Sequence, residues 1–494
     1  MKNNKTLMTD FYELTMAQTY FDAGKKDDIA YFDVFFRKNP FNGGYTISGG
    51  LDNIIDYIKN FEITEEDINY LRSQNCFSEE FLNYLKNLKF SGDVYAVPDG
   101  TPVFPNEPVI TIKAPIIEAQ LIETAVLAHF NHGSLVSTAA KRITNAANGI
   151  PVMEFGARRA RGVDSAIEAS KYAYIAGCCG TSNVYAAKKY DIPALGTMAH
   201  SLVQSFDSEY DAFLTYAKSN PDNCVFLVDT YDILKSGIPN AIKVAKEYLI
   251  PNGYKFKGIR IDSGDLVYLS KAARNMLDEE GFSDTKICLS NGLNEYSIKD
   301  ALSSGAVIDS VGAGDNIAAS KERMGGVYKL VAIVKDGEII HKIKVSEDTV
   351  KTTNPGYKKL YRFYDHDTGK VLGDVIATYD EEIDKEGYML VSDRDPWKKT
   401  KLEDYYVKEL TKQIYKDGNL VYDEPSIHER KKYCDIEFET LTDRITDISN
   451  PHTYYVDLSE KEKELKDYML HDTTKKTATL ALNNNGYYKK YRSN

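Results

Sequence analysis

Apolar and polar positions change their spacing along the chain, and each change predicts a different kind of structure. Up to about residue 115, short apolar runs such as Ala30 to Phe36 and Asp93 to Val97 are separated by polar stretches, and a helix is expected after Thr9. The later part of this region, VPDGTPVFPNEPVITIKAP, is punctuated by proline and glycine. Proline lacks an amide donor and glycine tolerates left-handed backbone, so together they predict a layer of strands and turns in this later part, within an N-terminal α/β region over residues 1–116. From Ile117 to Asn148 the spacing becomes helical, with Leu121 and Ala125, and Ile122, Val126 and Phe130, each four residues apart. A second domain is expected to begin there.

Between Pro151 and Ser310 the apolar runs VMEF, PALGTMA, CVFLVD, KGIRI, KICLS and VIDSVG repeatedly precede helical stretches, among them NAIKVAKEYL and DLVYLSKAARNML. Strand-to-helix alternation of this kind makes a parallel sheet, because each helix carries the chain back to the same edge. Six or seven such units predict a closed or irregular barrel over 117–325, with an open, doubly wound sheet as the alternative. Each run ends in a polar or glycine-rich segment: EFGARRARG, GTMAHS, DTYD, RIDSGD, SNG and VGAGD. In a barrel these segments converge on the face where the strands end, which is where barrels of this type place their active sites.

After Gly326 strand-like runs return in VYKLVAIVKDG and GEIIHKIKV, with a hairpin turn expected at KDGE. The strand-rich region is expected to run to about 400. From 401 onward, charged helical stretches such as LSEKEKELKDYML and the basic tail YYKKYRSN predict a solvated cap, an extension or an oligomer surface.

Composition narrows the functional classes. A chain of 494 residues exceeds the usual size of one core, and 43% hydrophobic with 27% charged residues is the balance of a soluble globular protein. A net charge of −12 argues against nucleic acid or an anionic membrane as a general partner, since either requires a broad basic surface. Cys76, Cys178, Cys179, Cys224, Cys288 and Cys434 show no CxxC spacing, which points to reduced thiols rather than a disulfide framework or a zinc site. No apolar run approaches the roughly 18 residues that span a bilayer. A cytoplasmic protein is expected.

The strand ends carry the candidate chemistry. Arg158, Arg159 and Arg161 follow Glu154, Phe155 and Gly156, and guanidinium forks suit phosphate or carboxylate oxygens. The same cluster also suits an ion-pair network on a solvated face, and Phe155 can be core or can stack on a flat ring. Asp229 and Asp232, with Asp262 and Asp265, offer hard oxygens for Mg²⁺, although Asp at a strand end also caps the following helix. Arg260 interrupts an apolar strand, and is either half of a buried ion pair or a recognition group for a carboxylate or an aromatic ring. Gly312 and Gly314 let backbone N–H groups approach a phosphate, and Ser290, Asn291 and Gly292 hold the equivalent place one unit earlier. His200 is open to roles as packing residue, acid or base, metal ligand or phosphoryl acceptor.

Taken in order, LMTDFYELTMAQTYF, FFRKNPFNGGYTISGGL, EFGARRARG, GTSNVYAAKKYDIPALGTMAHS, FLVDTYD, GIRIDSGDL, VGAGD and GVYKLVA resemble the nicotinate phosphoribosyltransferase family over most of the chain. The resemblance implies a type II phosphoribosyltransferase fold, an irregular (β/α) barrel packed against a discontinuous α/β open-faced sandwich domain, in a homodimer with shared active sites. It implies that nicotinate and 5-phosphoribosyl 1-diphosphate give nicotinate mononucleotide and diphosphate in NAD salvage, with coupled ATP hydrolysis and Mg²⁺. By motif matching, His200 is the residue phosphorylated by ATP, and Tyr12 and Phe155 are ring-stacking residues, Tyr12 reaching a neighbouring subunit's site. Thr197 and Arg260 match nicotinate contacts, and Arg158 and Arg37 match diphosphate contacts. Asp229 and Asp262 match acidic positions around the ribose, diphosphate and Mg²⁺, and Asn291 and Gly314 match contacts to the ribose phosphate. Relatives often carry a small or hydroxyl residue in place of Asp315, whose carboxylate would repel a phosphate, so nearby backbone N–H groups are expected to make that contact. Two rivals share the fold: a nicotinamide-using enzyme, because Arg260 alone does not select the acid, and a non-catalytic ligand-binding protein.

Overall fold

The computed structural model describes residues 5–345, 352–383, 387–391 and 397–473, so the basic tail YYKKYRSN lies outside the described residues. They fall into two compact units. One contains residues up to 134, 324–424 and those from 436 onward, and the other contains 135–323 and 425–435.

The first unit is built on a seven-stranded sheet in the order Glu338–His341, Gly326–Lys335, Ile29–Phe36, Ile110–Pro115, Asp93–Ala96, Lys412–Lys416 and Asn419–Leu420. Every neighbouring pair is antiparallel. Ile29–Phe36 lies inside the sheet and is buried along nearly its whole length, which explains an apolar sequence broken by Asp33, itself buried and paired with Lys358 (2.8 Å). Its partner on one side comes from about 300 residues later in the chain, with Phe36 opposite Gly326, so the early strands and the later return make one sheet. The KDGE turn is a two-residue hairpin: Lys335 faces Glu338, while Asp336 (φ 55°) and Gly337 (φ 81°) both take left-handed backbone, which matches the twist of the flanking strands.

Residues beyond 401 contribute more than a surface layer. Lys412–Lys416 adds a strand beside Asp93–Ala96, and Tyr405–Glu409 and Val456–Leu458 flank Lys358–Asp365 and Val371–Thr378 in a four-stranded sheet. A charged helix then occupies 460–473. The division between units falls inside the helix Glu123–Ala146, later than the change of pattern at 117. The beginning of this helical region packs with the first sheet: Tyr328 Oη donates to the Ala119 carbonyl (2.6 Å), and the Phe130 ring lies 6.4 Å from that of Phe36.

The second unit contains six parallel strands, Val152–Glu154, Gly180–Thr181, Val225–Leu227, Gly258–Ile261, Lys286–Leu289 and Ser310–Ala313. Apart from Gly180–Thr181 and Val225–Leu227, which are not paired with each other, each lies beside its neighbour in the chain, and the last also lies beside the first. That ring order identifies an irregular barrel, since a doubly wound sheet would reverse its strand order at a switch point. The ring is interrupted between Ala194, which bridges to Thr181, and Val225–Leu227. Among the described residues PALGTMA, expected as a strand, makes this single bridge at Ala194 and joins no ladder. The strand in its neighbourhood is Gly180–Thr181, too short to show as an apolar run. Phe226, Ile259, Ile261, Ile287, Leu289, Val311 and Ala313 are all essentially inaccessible, and the register puts them on one face of the strands, opposite to the face that carries Arg260. Among the described residues no helix is long and apolar enough to cross a membrane.

Candidate active site

Strand direction places Phe155, Asp229, Asp262, Ser290 and Gly314 at the same end of the barrel, each following the last residues of its strand. Arg260 sits one layer deeper, between the fully buried Ile259 and Ile261, with its side chain 14% exposed. Alternation along the strand turns it to the opposite face from its two apolar neighbours. Its Nε donates to Ser290 Oγ (2.8 Å), its Nη1 to Thr197 Oγ1 (3.2 Å) and its Nη2 to Asp262 Oδ1 (3.1 Å). Ser290 Oγ in turn donates to Asp262 Oδ1, closing a small ring of polar contacts. A guanidinium has five N–H groups. Three are engaged within this network, which leaves one on each terminal nitrogen for an external acceptor.

Phe155 completes this corner. Arg260 Cζ lies 5.3 Å from the centre of its ring, close enough for a cation–π contact. The ring is half-buried and fits over glycine: a Cβ on Gly312 would stand 2.6 Å from a Phe155 ring carbon, and one on Gly314 would stand 2.9 Å from its carbonyl oxygen. Both glycines of VGAGD are thus required by the close approach of the Phe155 segment. That segment is also pinned by Glu154, a buried carboxylate that accepts from Gly156 N, Thr181 Oγ1 (2.5 Å) and Ser170 Oγ (3.1 Å). Burial pushes its carboxyl above the ordinary range while these donors pull it back.

Across the mouth, Asp229 is buried, its side chain 1% exposed. Oδ2 accepts from Ser263 Oγ (2.6 Å) and from Asp262 N (3.3 Å), whereas Oδ1 is buried with no hydrogen-bond partner. This oxygen lies 4.0 Å from His200 Nε2, and His200 Nδ1 lies 3.2 Å from Thr230 Oγ1. The imidazole is 41% exposed, so it faces solvent on one side and a buried carboxylate on the other. Asp232 and Asp265 behave differently: their side chains accept from backbone N–H groups of the turns that follow, Leu234 and Lys235 in one case and Tyr268 in the other. They are helix caps, and the paired aspartates of each motif divide into one cap and one site residue.

The arginine cluster divides as well. Arg159 pairs with Asp315 (3.3 Å) and Arg161 donates to the Ser320 carbonyl (3.0 Å), while Arg158 is exposed and makes no polar contact among the described residues. The Asp315 carboxylate is thereby engaged by a cation. Asn291 is exposed with φ 94°, a backbone conformation that few residues other than glycine adopt readily, on the turn after Lys286–Leu289. Tyr12 and Arg37 belong to the other unit. Tyr12 is 44% exposed on the helix Phe11–Asp22, and Arg37 lies over the Phe35 ring with its Nε buried and unpartnered.

Ser290, Thr230 and Glu154 are the polar residues of this site that sequence reasoning did not single out for roles of their own. Serine, threonine and glutamate at strand ends are common, and only the three-dimensional contacts distinguish these. Among the described residues, no group of three or more His, Cys, Asp or Glu side chains is arranged to hold a metal ion. The unpartnered Asp229 oxygen and the Asp262 carboxylate are nonetheless hard donors of the kind Mg²⁺ accepts when waters and substrate phosphates complete its shell.

Comparison with known proteins gives the family. Three family models match: the nicotinate phosphoribosyltransferase N-terminal domain over residues 7–131, the nicotinate phosphoribosyltransferase family over 150–371 and the C-terminal domain over 357–466. The chain is 41% identical over 458 residues to a nicotinate phosphoribosyltransferase of Bacillus subtilis, covering 92% of this chain and 93% of that protein. It is 36% identical over 520 residues to nicotinate phosphoribosyltransferase 2 of Arabidopsis thaliana, covering 92% of each. A crystal structure of human nicotinic acid phosphoribosyltransferase superposes with a TM-score of 0.81 at 27% identity, covering 94% of this chain and all of that one.

Proposed function

The chain belongs to the nicotinate phosphoribosyltransferase family, and on that premise we propose that it joins nicotinate to 5-phosphoribosyl 1-diphosphate, with ATP cleavage coupled through His200. The observation that carries this reading is the corner formed by Arg260, Phe155 and Thr197. A guanidinium held over an aromatic face, with one N–H left on each terminal nitrogen, suits a flat ring that bears a carboxylate. Nicotinamide offers one acceptor and no charge, so it would use this fork less well.

In the reaction the pyridine nitrogen attacks the anomeric carbon. The new C–N bond forms as the C–O bond to diphosphate breaks, and the electron pair leaves on the diphosphate oxygen. Positive charge builds on the sugar, where the carboxylates of Asp229 and Asp262 stabilise it, and Arg158 takes the negative charge of the leaving group. Asn291 and the backbone at Gly314 would hold the ribose phosphate. Asp229 and Asp262 would hold Mg²⁺, which supplies electrostatic stabilisation of diphosphate when bound.

For coupling, a ring nitrogen of His200 attacks the γ-phosphorus of ATP, ADP departs, and water later releases phosphate. The half-exposed imidazole is accessible to a phosphoryl donor, with Thr230 Oγ1 at hydrogen-bond distance from Nδ1 and the Asp229 carboxylate 4.0 Å from Nε2. Tyr12 of the partner subunit would cover the nicotinate ring in a homodimer. That arrangement is supported by the exposure of Met8, Phe11 and Tyr12, large apolar side chains grouped near one chain end.

The test is to incubate the protein with nicotinate, 5-phosphoribosyl 1-diphosphate, Mg²⁺ and γ-labelled ATP, following both nucleotide product and label on protein. Nicotinate mononucleotide and an acid-labile label are expected, and His200→Ala should lose the label and the stimulation by ATP. Absence of the mononucleotide would overturn the reading, and unchanged labelling of His200→Ala would remove His200 from it.

A further inference from the structure

We propose that Ser290 is a positioning and specificity-determining residue, which holds Arg260 in the orientation that receives the nicotinate carboxylate and ties it to the sugar-facing Asp262. The inference rests on the reading of this site as a nicotinate site.

A free arginine side chain can present its N–H groups in many directions, and only a fixed one discriminates between a carboxylate and an amide. Here the edge formed by Nε and Nη2 is engaged by two different residues, Ser290 (2.8 Å) and Asp262 (3.1 Å). Ser290 Oγ accepts from the arginine with one lone pair and donates its only proton to Asp262 Oδ1. The serine thus bridges the two charged groups, and Asp262 Oδ1 receives both the arginine and the hydroxyl.

Ser290 itself is 2% exposed, fixed at the end of the strand Lys286–Leu289, and its backbone N donates to the Ile261 carbonyl (3.0 Å) in the adjacent strand. It is too deeply seated to be a general surface hydroxyl. Alanine there would leave Arg260 Nε without its acceptor and free the guanidinium to turn away from the ring of Phe155. Threonine would keep the hydroxyl and add a methyl group.

The experiment compares wild type, Ser290→Ala and Ser290→Thr by steady-state kinetics with nicotinate and with nicotinamide, and by calorimetric titration of nicotinate. Ser290→Ala is expected to raise KM and Kd for nicotinate about tenfold and to reduce the preference for acid over amide by about tenfold, the scale of one charge-assisted hydrogen bond. Ser290→Thr should recover most of the loss. Wild-type turnover of nicotinate with an unchanged acid-to-amide ratio in Ser290→Ala would overturn this inference alone. Failure of the wild-type protein to use nicotinate would instead overturn the reading on which it rests.

Discussion

Two arginines in this protein are built from nearly the same parts and do opposite things. Arg362, in the first unit, lies 5.3 Å over the ring of Phe104, as Arg260 lies 5.3 Å over Phe155, and each has an aspartate partner. Arg362 gives Nε and Nη2 to the two oxygens of the single carboxylate Asp374 (2.8 and 2.6 Å), both side chains are wholly buried, and Tyr454 Oη donates to the same aspartate (2.7 Å). Arg260 shares the corresponding edge between a serine and an aspartate and keeps a partly open face. A complete bidentate pair closed over by aromatic rings fixes a fold, whereas a divided one holds a guanidinium in place while leaving it able to bind.

The sharpest way to break this comparison is to remove each arginine in turn. Arg362→Ala leaves Asp374 charged, buried and unpaired, which costs about 3–5 kcal/mol. A large fall in melting temperature or soluble yield is expected, and a thermal scan within a degree or two of wild type would contradict the structural role. Arg260→Ala, by contrast, should leave the melting temperature within a few degrees, because its site is partly solvated and not enclosed by the core.

A pH-dependent effect extends the same contrast between regions through two carboxylates with buried, unpartnered oxygens, Asp229 in the barrel and Glu462 in the first unit. Burial pushes the Glu462 carboxyl up to about 8, with Asp33 and Glu381 raising it further while Lys358 and Lys466 pull it down. In the unfolded chain a glutamate titrates near its ordinary value of about 4.3. Between these values the folded state holds the proton more tightly, so stability falls as pH rises through this window and levels off above about pH 8. Glu462→Gln removes the titration. Its melting curve should coincide with wild type below about pH 5 and lie above it at pH 9, and parallel curves across that range would contradict the assignment.

The sequence carried much of this architecture, for identifiable reasons. Runs such as GIRI and KICL are strands buried on both faces, so their apolar character shows without periodic ambiguity, and the polar residues after them mark the active end. Gly180–Thr181 was hidden because two residues cannot display a pattern, and PALGTMA misled because an apolar run forms a strand only where a partner exists. Asp229 and Asp232 look alike in VDTYD, yet one is a buried site carboxylate and the other a helix cap. That difference follows from which way each side chain faces, which the ring of strands decides. The role of Ser290 was least visible, since it depends on Arg260 and Asp262 reaching it from a neighbouring strand.

Whether Arg260 is a held fork for a substrate carboxylate is read from the ratio of kcat/KM for nicotinate to kcat/KM for nicotinamide in wild type and in Arg260→Ala. Loss of a bidentate charged contact of about 3 kcal/mol predicts a ratio that favours the acid by at least about 100-fold in wild type and falls by about that factor in the variant. A wild-type preference for the amide, or a ratio unchanged by the substitution, would contradict it.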